Sequence, residues 1–332
     1  MERELTEPVS LTGPDGRLNR DAVGWARTAL VDTSGIGVGK AWGRNKRWEY
    51  WSVTTPTHLI ALTASSIDYA AVHEVWVFDR RTLTARSKNA TVIPARGVSL
   101  GPSLGDTPVR AVAKGLQIEI DEVQGGTRLR ARIDGASFDI IAAKPEGHEC
   151  LAVVVPWSDT RFQYTVKDVA RPATGTLTVD GVEHPLPEGE SWAVLDHGRG
   201  RWPYDVTWNW GAGSGVSNGR TIGIQVGGKW TLGTPSTENG VQIDGRMHKI
   251  STELTWDYTI GDWLRPWRLT GGGLDVTLTP FYDKVSRTNL GVVAASTDQV
   301  FGHWAGSFTT GEGERVEFDG ILGFAEHVHN RW

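Results

Sequence analysis

A chain of 332 residues with 34 lysines and arginines against 39 aspartates and glutamates carries a net charge of −5, which leaves no electrostatic footprint for nucleic acid. Hydrophobic residues make up 39% and charged residues 22%, the balance of a soluble globular protein with room for two domains or one large β domain. The single cysteine, Cys150, excludes an intrachain disulfide, and the longest apolar run, Leu151–Val155, is too short to cross a bilayer as a helix.

In chain order, the charged N-terminus MERELTEPVSL lacks the apolar centre of a secretory signal, and a cytoplasmic location is expected. Arg20–Leu30 is the one stretch with a helical pattern. Gly35, Gly37 and Gly39 before Lys40 fit neither the dinucleotide nor the nucleotide fingerprint and read as a flexible loop. Period-two alternation then takes over. Trp48–Val53, Leu59–Leu62, Val75–Phe78, Leu116–Ile120 and Arg128–Ile133 read as strands, and Leu151–Val155 reads as a buried one with Cys150 as a small core residue before it. Asp180-Gly181 after Thr176–Val179, and Asp244-Gly245 between Val241–Ile243 and Met247–Ile250, are hairpin signals. Further strands are expected at Trp192–Leu195, Val206–Trp210, Arg268–Thr270, Leu274–Leu278, Leu290–Ala294, Trp304–Phe308 and Arg315–Phe318.

This rhythm predicts an all-β protein with few short helices, of the sandwich or barrel kind. No βαβ repeat appears. The turn residues Gly233-Thr234-Pro235-Ser236 mark the expected division into an N-terminal part, 1–235, and a smaller C-terminal part, 236–332.

Chemistry is expected in Ser191–Trp230, where five of the 16 tryptophans are interleaved with Asp196, His197, Arg199, Arg201 and Tyr204. Asp196 shares a strand face with Val194 and Trp192. A carboxyl turned into an apolar interior resists ionisation and can deliver a proton. The other reading is structural: Asp196 accepting hydrogen bonds from the following turn, or paired with Arg199 or Arg201. His197 points to the opposite face. Arg199 and Arg201 either bind an anionic group of a ligand or brace Asp196 or Glu238. Tyr204 offers a phenol to a ligand carbonyl or anchors its loop. Trp208 and Trp210 share a face, with Trp202 nearby, and can shield a cation or line a barrel core.

Glu238-Asn239-Gly240 reads as a turn at the pocket mouth, and Asp196 with Glu238 would make a paired-carboxylate site. His148-Glu149 orders the start of a buried strand, and His303 lies beside Trp304. Glu326, His327 and His329 mimic metal-ligand spacing, but no cysteine cluster or HExxH helix supports them, and neither metal nor cofactor is expected.

The chain resembles a bacterial family catalogued as domain of unknown function 2804, through ERELTEPV, KRWEYW, GHECLAVVVPWSDTRFQYT, DHGRGRWPY, WNWGAGSG, GGKWT, TENG, RPWR, GHWAG and GILGFAEH. In the order of its motifs it is also similar to carotenoid hydratase and AttH-type proteins, which have two lipocalin-like barrels. There the matching positions are Trp192, Asp196, His197, Trp208 and Trp210, then His303-Trp304-Ala305-Gly306 and Gly323-Phe324-Ala325-Glu326. Ala305 stands where that pattern has a glutamate, so no acid role carries over to it. The resemblance implies two lipocalin-like antiparallel β-barrel or curved-sheet domains around a cavity for an apolar or polyene-like molecule.

Three functions are therefore expected in order. The first is a cofactor-independent enzyme for a hydrophobic small molecule, with Asp196, Tyr204 and Glu238 as catalytic candidates. Its substrate-binding candidates are Trp192, Arg199, Arg201, Trp202, Trp208, Trp210, Asn239 and His303. The second is a non-catalytic carrier of a hydrophobic or amphipathic ligand. The third is carbohydrate binding or hydrolysis by Asp196 and Glu238. Oligomeric state is not readable from the sequence.

Overall fold

A computed structural model describes residues 2–37, 41–289 and 293–332. The Gly39 and Lys40 positions of the glycine-rich loop, and residues 290–292 of the expected strand Leu290–Ala294, lie outside them; a strand does run over Ala294–Thr309.

The fold is all-β. In the first large sheet the strand order is Thr84–Val92, Ala71–Asp79, His58–Ser66, Asn45–Thr54, Trp192–Arg201, Phe162–Val179, Ala136–Ala143, Gly126–Ile133, Leu116–Val123, Val109–Ala113 and Val98–Ser99. In the second it is Arg246–Ile250, Asn239–Ile243, Arg220–Gly228, Asp205–Ser217, Arg315–Arg331, Ala294–Thr309, Leu274–Asn289, Trp267–Gly271 and Thr255–Asp257. Neighbours along both paths are antiparallel. The chain crosses from one sheet to the other at 202–204, and the strands on both sides of the Gly233–Ser236 turn belong to the second sheet. The tryptophan-rich segment therefore contributes to both.

Turn chemistry follows the sequence. Asp180-Gly181 and Asp244-Gly245 both take positive φ (48° and 82°; 50° and 87°), the geometry of a two-residue hairpin that matches strand twist. Arg20–Leu30 is not a helix. Only Arg20–Ala22 makes a 3-10 turn, capped by the Asn19 side chain, and Trp25–Ala26 pairs instead with Leu151–Pro156. The competing strand edge satisfies those backbone groups, and so tertiary pairing overrides the local pattern. Among the described residues no helix is long and apolar enough to cross a membrane.

Each sheet curls round its own apolar filling. Trp51, Ile60, Val75, Ile118, Leu129 and Phe138 fill the first, and Ile224, Val241, Trp267, Val276, Trp304 and Phe318 fill the second. A third cluster, including Trp76, Phe78, Val194, Trp210, Phe301 and Phe324, lies between the sheets. Trp192–Arg201 is buried on both faces, one toward the first filling and one toward the second sheet. Its side chains thus alternate between two different environments. Ser214 Oγ accepts a hydrogen bond from the Ala170 backbone N–H (2.8 Å), directly linking the sheets.

Candidate functional site

Between the sheets lies a cavity of about 400 Å³. Its walls are alternate residues of strands from both sheets: Lys46, Trp48 and Tyr50; Gln163, Thr165 and Lys167; Asp196; Trp208 and Trp210; Glu326, Val328 and Asn330. Trp202, Trp230 and Trp332 close one side, with Trp202 and Trp230 stacked at 5.5 Å and Trp202 edge-on to Trp208 at 5.7 Å.

The DHGRGRW motif makes physical sense in this setting. Asp196, Gly198, Gly200 and Trp202 take the cavity side, while His197, Arg199 and Arg201 take the other. A Cβ on Gly198 would lie 2.1 Å from the Trp48 indole, and one on Gly200 would lie 2.2 Å from Gln163 Oε1. The glycines let Trp48 and Gln163 rest on the strand, and Gln163 Oε1 in turn accepts from Trp202 Nε1 (2.6 Å). The GAGSG run works alike on the second sheet. Gly211 and Gly213 leave room for the buried Trp304 indole, whose Nε1 donates to Ala212 O (3.2 Å).

The charged centre of the cavity is Lys167. Its Nζ lies 2.9 Å from Asp196 Oδ1, 3.5 Å from Glu238 Oε1 and 3.9 Å from the Trp210 ring centroid. Burial works against the ammonium, but Asp196, Glu238 and Glu326 outweigh it and raise Lys167 above its ordinary pKa. Asp196 also accepts from Thr165 Oγ1 (3.2 Å). Burial pushes Glu238 up to about 7, with Lys167 opposing and Asp196 adding to the shift. Burial also pushes Glu326 up to about 7, although its carboxylate accepts from Trp208 Nε1 and Gln299 Nε2, both at 3.0 Å. Gln299 Nε2 reaches Tyr50 OH at 3.3 Å, and burial raises the Tyr50 phenol.

Of the expected site residues, the fold gathers Asp196, Glu238, Trp202, Trp208 and Trp210. Glu238 is a buried wall residue rather than part of an exposed turn. The others lie elsewhere. Arg199 contacts Glu49 Oε1 (3.3 Å) and the carbonyls of Trp48 and Gly101, on the face away from the cavity. Arg201 donates to Asn45 Oδ1 (3.0 Å) and to the Gly16 and Gly35 carbonyls. Neither arginine braces Asp196 or Glu238; Lys167 does. Tyr204 is 42% exposed, with the Arg44 guanidinium over its ring. Asn239 is buried and structural, accepting from Gly227 N and donating to Thr252 O. His303 is exposed beside Arg80 and Phe281. Trp192 is buried outside the cavity walls.

His197 points away from the cavity, as strand alternation requires, with Nδ1 3.3 Å from Glu49 Oε1. His148 Nε2 lies 2.6 Å from Asp168 Oδ1 in a buried cluster with Arg171. Glu326 faces the cavity while His327 faces Tyr258 (OH to Nδ1, 2.8 Å), and so the two do not converge. Among the described residues no three His, Cys, Asp or Glu side chains are grouped as metal ligands.

The reading of the sequence missed Lys167, Glu326 as an acid, Gln299 and Tyr50. A signal for Lys167 is present: Gln163, Thr165 and Lys167 alternate with Phe162, Tyr164 and Val166, a polar stripe on the part of the strand that is buried on both faces.

The chain belongs to the family described as domain of unknown function 2804 (DUF2804), whose model matches residues 2–332. No curated protein matches the sequence. Among solved structures it is similar to kievitone hydratase from Nectria haematococca, with a TM-score of 0.52 and 12% identity over 90% of this chain and 92% of that one. It is also similar to an AttH-type protein from Nitrosomonas europaea, with a TM-score of 0.51 and 11% identity over 86% of this chain and 92% of that one. The shared architecture is that of two lipocalin-like antiparallel sheets.

Proposed function

We propose that this DUF2804 protein is a cofactor-independent enzyme that moves a proton on a hydrophobic small molecule held between its two sheets, in hydration, isomerisation or cyclisation. The observation that carries this reading is the convergence of Lys167, Asp196, Glu238 and Glu326 on an indole-walled cavity. Buried charges are costly, and carboxyls perturbed by burial beside a specific charge in a cleft are candidates for acid–base work. The fold it shares with a protein that hydrates kievitone supports the same class of reaction.

In this reading Glu238 carries the proton. Asp196 is engaged by Lys167 and Thr165, so the donor role expected of it passes to the neighbouring carboxyl, and Asp196 holds the ammonium in place. With Glu238 and Glu326 both poised near neutrality, one serves as acid while the other, fixed by Trp208 and Gln299, takes a proton from water or from carbon. The Trp208 indole in the wall stabilises positive charge that develops on the ligand, the Trp210 ring being already covered by the Lys167 ammonium. The paired-carboxylate reading is not supported, because the Lys167 ammonium sits between Asp196 and Glu238 where a glycosidic bond would need to lie.

The test is to recover the small molecules that co-purify with the intact chain, identify them by mass spectrometry and incubate them with fresh protein in D2O. Deuterium bound to carbon, lost in Glu238→Gln, is the expected result. A ligand returned unaltered by the wild type would make the protein a carrier instead.

A further inference from the structure

Lys46 is the buried charge that the proposed chemistry leaves unused. It is 0% exposed and lines the cavity from Asn45–Thr54, and its Nζ has no hydrogen-bond partner among the described residues. It sits 5.0 Å from the Tyr69 ring centroid and 5.3 Å from that of Trp332. Asp68 offsets part of its charge from a distance, but Asp68 Oδ2 is taken by the backbone N–H groups of Gly43 and Asn45 and by the Asn45 amide. Burial lowers Lys46 to about 8, so it still carries its charge at neutral pH. An ammonium enclosed by aromatic rings with no acceptor is costly unless something entering the cavity supplies one.

Strand geometry says how far that anion lies from the proposed reacting end. Lys46 pairs with Gly200, and Tyr50, four residues on, pairs with Asp196. Four residues of strand span about 13 Å. Trp48, which pairs with Gly198, lies between the two ends, and its indole continues edge-on into Trp202 and from there into Trp208 along the wall.

We infer that the ligand is an amphipathic carboxylic acid. Its carboxylate pairs with Lys46 and its hydrocarbon body runs along the indoles toward Lys167 and Glu238. Lys284, which also lines the cavity, is already paired with Glu74 (2.6 Å), so the Lys46 ammonium is left to match one negative charge, a monoanion better than a phosphate dianion. The inference rests on the cavity being the ligand site proposed above, but not on proton transfer within it.

The test is calorimetric titration of the full chain with dodecanoate, dodecan-1-ol and dodecyl phosphate. Dodecanoate is expected to bind tighter than the alcohol by about tenfold or more, the worth of one charge-assisted hydrogen bond. Lys46→Met is expected to lose that preference, acid and alcohol then binding alike, and Lys46→Arg is expected to keep it. Equal affinity of acid and alcohol for the wild type would overturn the inference, as would an acid preference that survives in Lys46→Met or tighter binding of the phosphate. If Lys46→Met does not fold, the wild-type comparison decides alone. An acid preference without turnover defeats only the proposed reaction; turnover lost in Glu238→Gln without an acid preference defeats only this inference.

Discussion

Trp48 lies across the backbone of Gly198, so that a methyl group on residue 198 would meet the indole at 2.1 Å from Cζ2 and 2.2 Å from Cε2. The indole is rigid and also packs edge-on against Trp202 at 5.6 Å, so it cannot yield without disturbing the cavity wall. Gly198→Ala is therefore expected to cost about 1–3 kcal/mol of stability, the usual penalty for overpacking. Denaturant unfolding followed by tryptophan fluorescence measures it. An unchanged midpoint would show that Trp48 can swing aside.

Much of this arrangement was legible in the sequence, and the failures have physical causes. Period-two alternation located most strands, and the Asp-Gly pairs located two hairpins, because both signals depend on neighbouring residues alone. Alternation likewise separates Asp196 and His197 onto opposite faces of their strand, but does not say which face meets the cavity. Neighbouring residues offer Arg199 or Arg201 as partners of Asp196, but pairing across strands is a matter of register: Asp196 stands opposite Lys167, while Arg199 stands opposite Tyr164 on the far face. Glu326, His327 and His329 only mimic metal-ligand spacing in the sequence, and alternation along Arg315–Arg331 sends Glu326 to one side of the sheet and His327 to the other. The cavity itself lies between sheets rather than inside a barrel, and no local pattern encodes how two sheets face each other.

Lys167 holds two buried carboxyl groups, and removing it alone leaves them facing each other without a counter-charge. Lys167→Met is expected to destabilise the fold by about 3–5 kcal/mol, as breaking a buried ion pair does. Adding Asp196→Asn to that variant removes one stranded charge and is expected to restore part of the loss. Chemical denaturation of the two variants checks this. A double variant less stable than Lys167→Met would show that Asp196 has other obligations in the wall.

The contact between the sheets depends on the absence of a side chain at residue 223. A Cβ on Gly223 would lie 2.5 Å from Val169 Cγ2 and 3.1 Å from Ala170 Cβ. Beside it, Ser214 satisfies the Ala170 N–H at a bulge where Ala170 takes φ +54°. Ser214→Ala is expected to cost about 1–3 kcal/mol by stranding that buried N–H. Gly223→Val is expected to force the sheets apart and weaken ligand binding as well as stability. Dodecanoate titration of both variants separates the two effects: Ser214→Ala should retain affinity once folded, and Gly223→Val should not.

The buried carboxyls also set a pH dependence whose sign is opposite to that of most acidic residues. Glu238 and Glu326 are raised from an ordinary 4.5 to about 7 in the folded chain. Between those values the folded protein holds protons that the unfolded chain has released. Stability contributed by these groups is thus fully present below 4.5 and is lost as pH rises through 7. Glu49 and Asp168 run the other way, because the cations beside them, opposing burial, hold both below the ordinary carboxylate range, so their contribution is lost in acid. Glu238→Gln cannot ionise and escapes the loss at its own site. Its stability relative to the wild type is therefore expected to climb from pH 4.5 to 7 and then level off. Urea midpoints of both proteins across that range read this directly. A difference that stays flat would mean that Glu238 is ionised throughout, and the acid of the proposed reaction would have to be sought in Glu326.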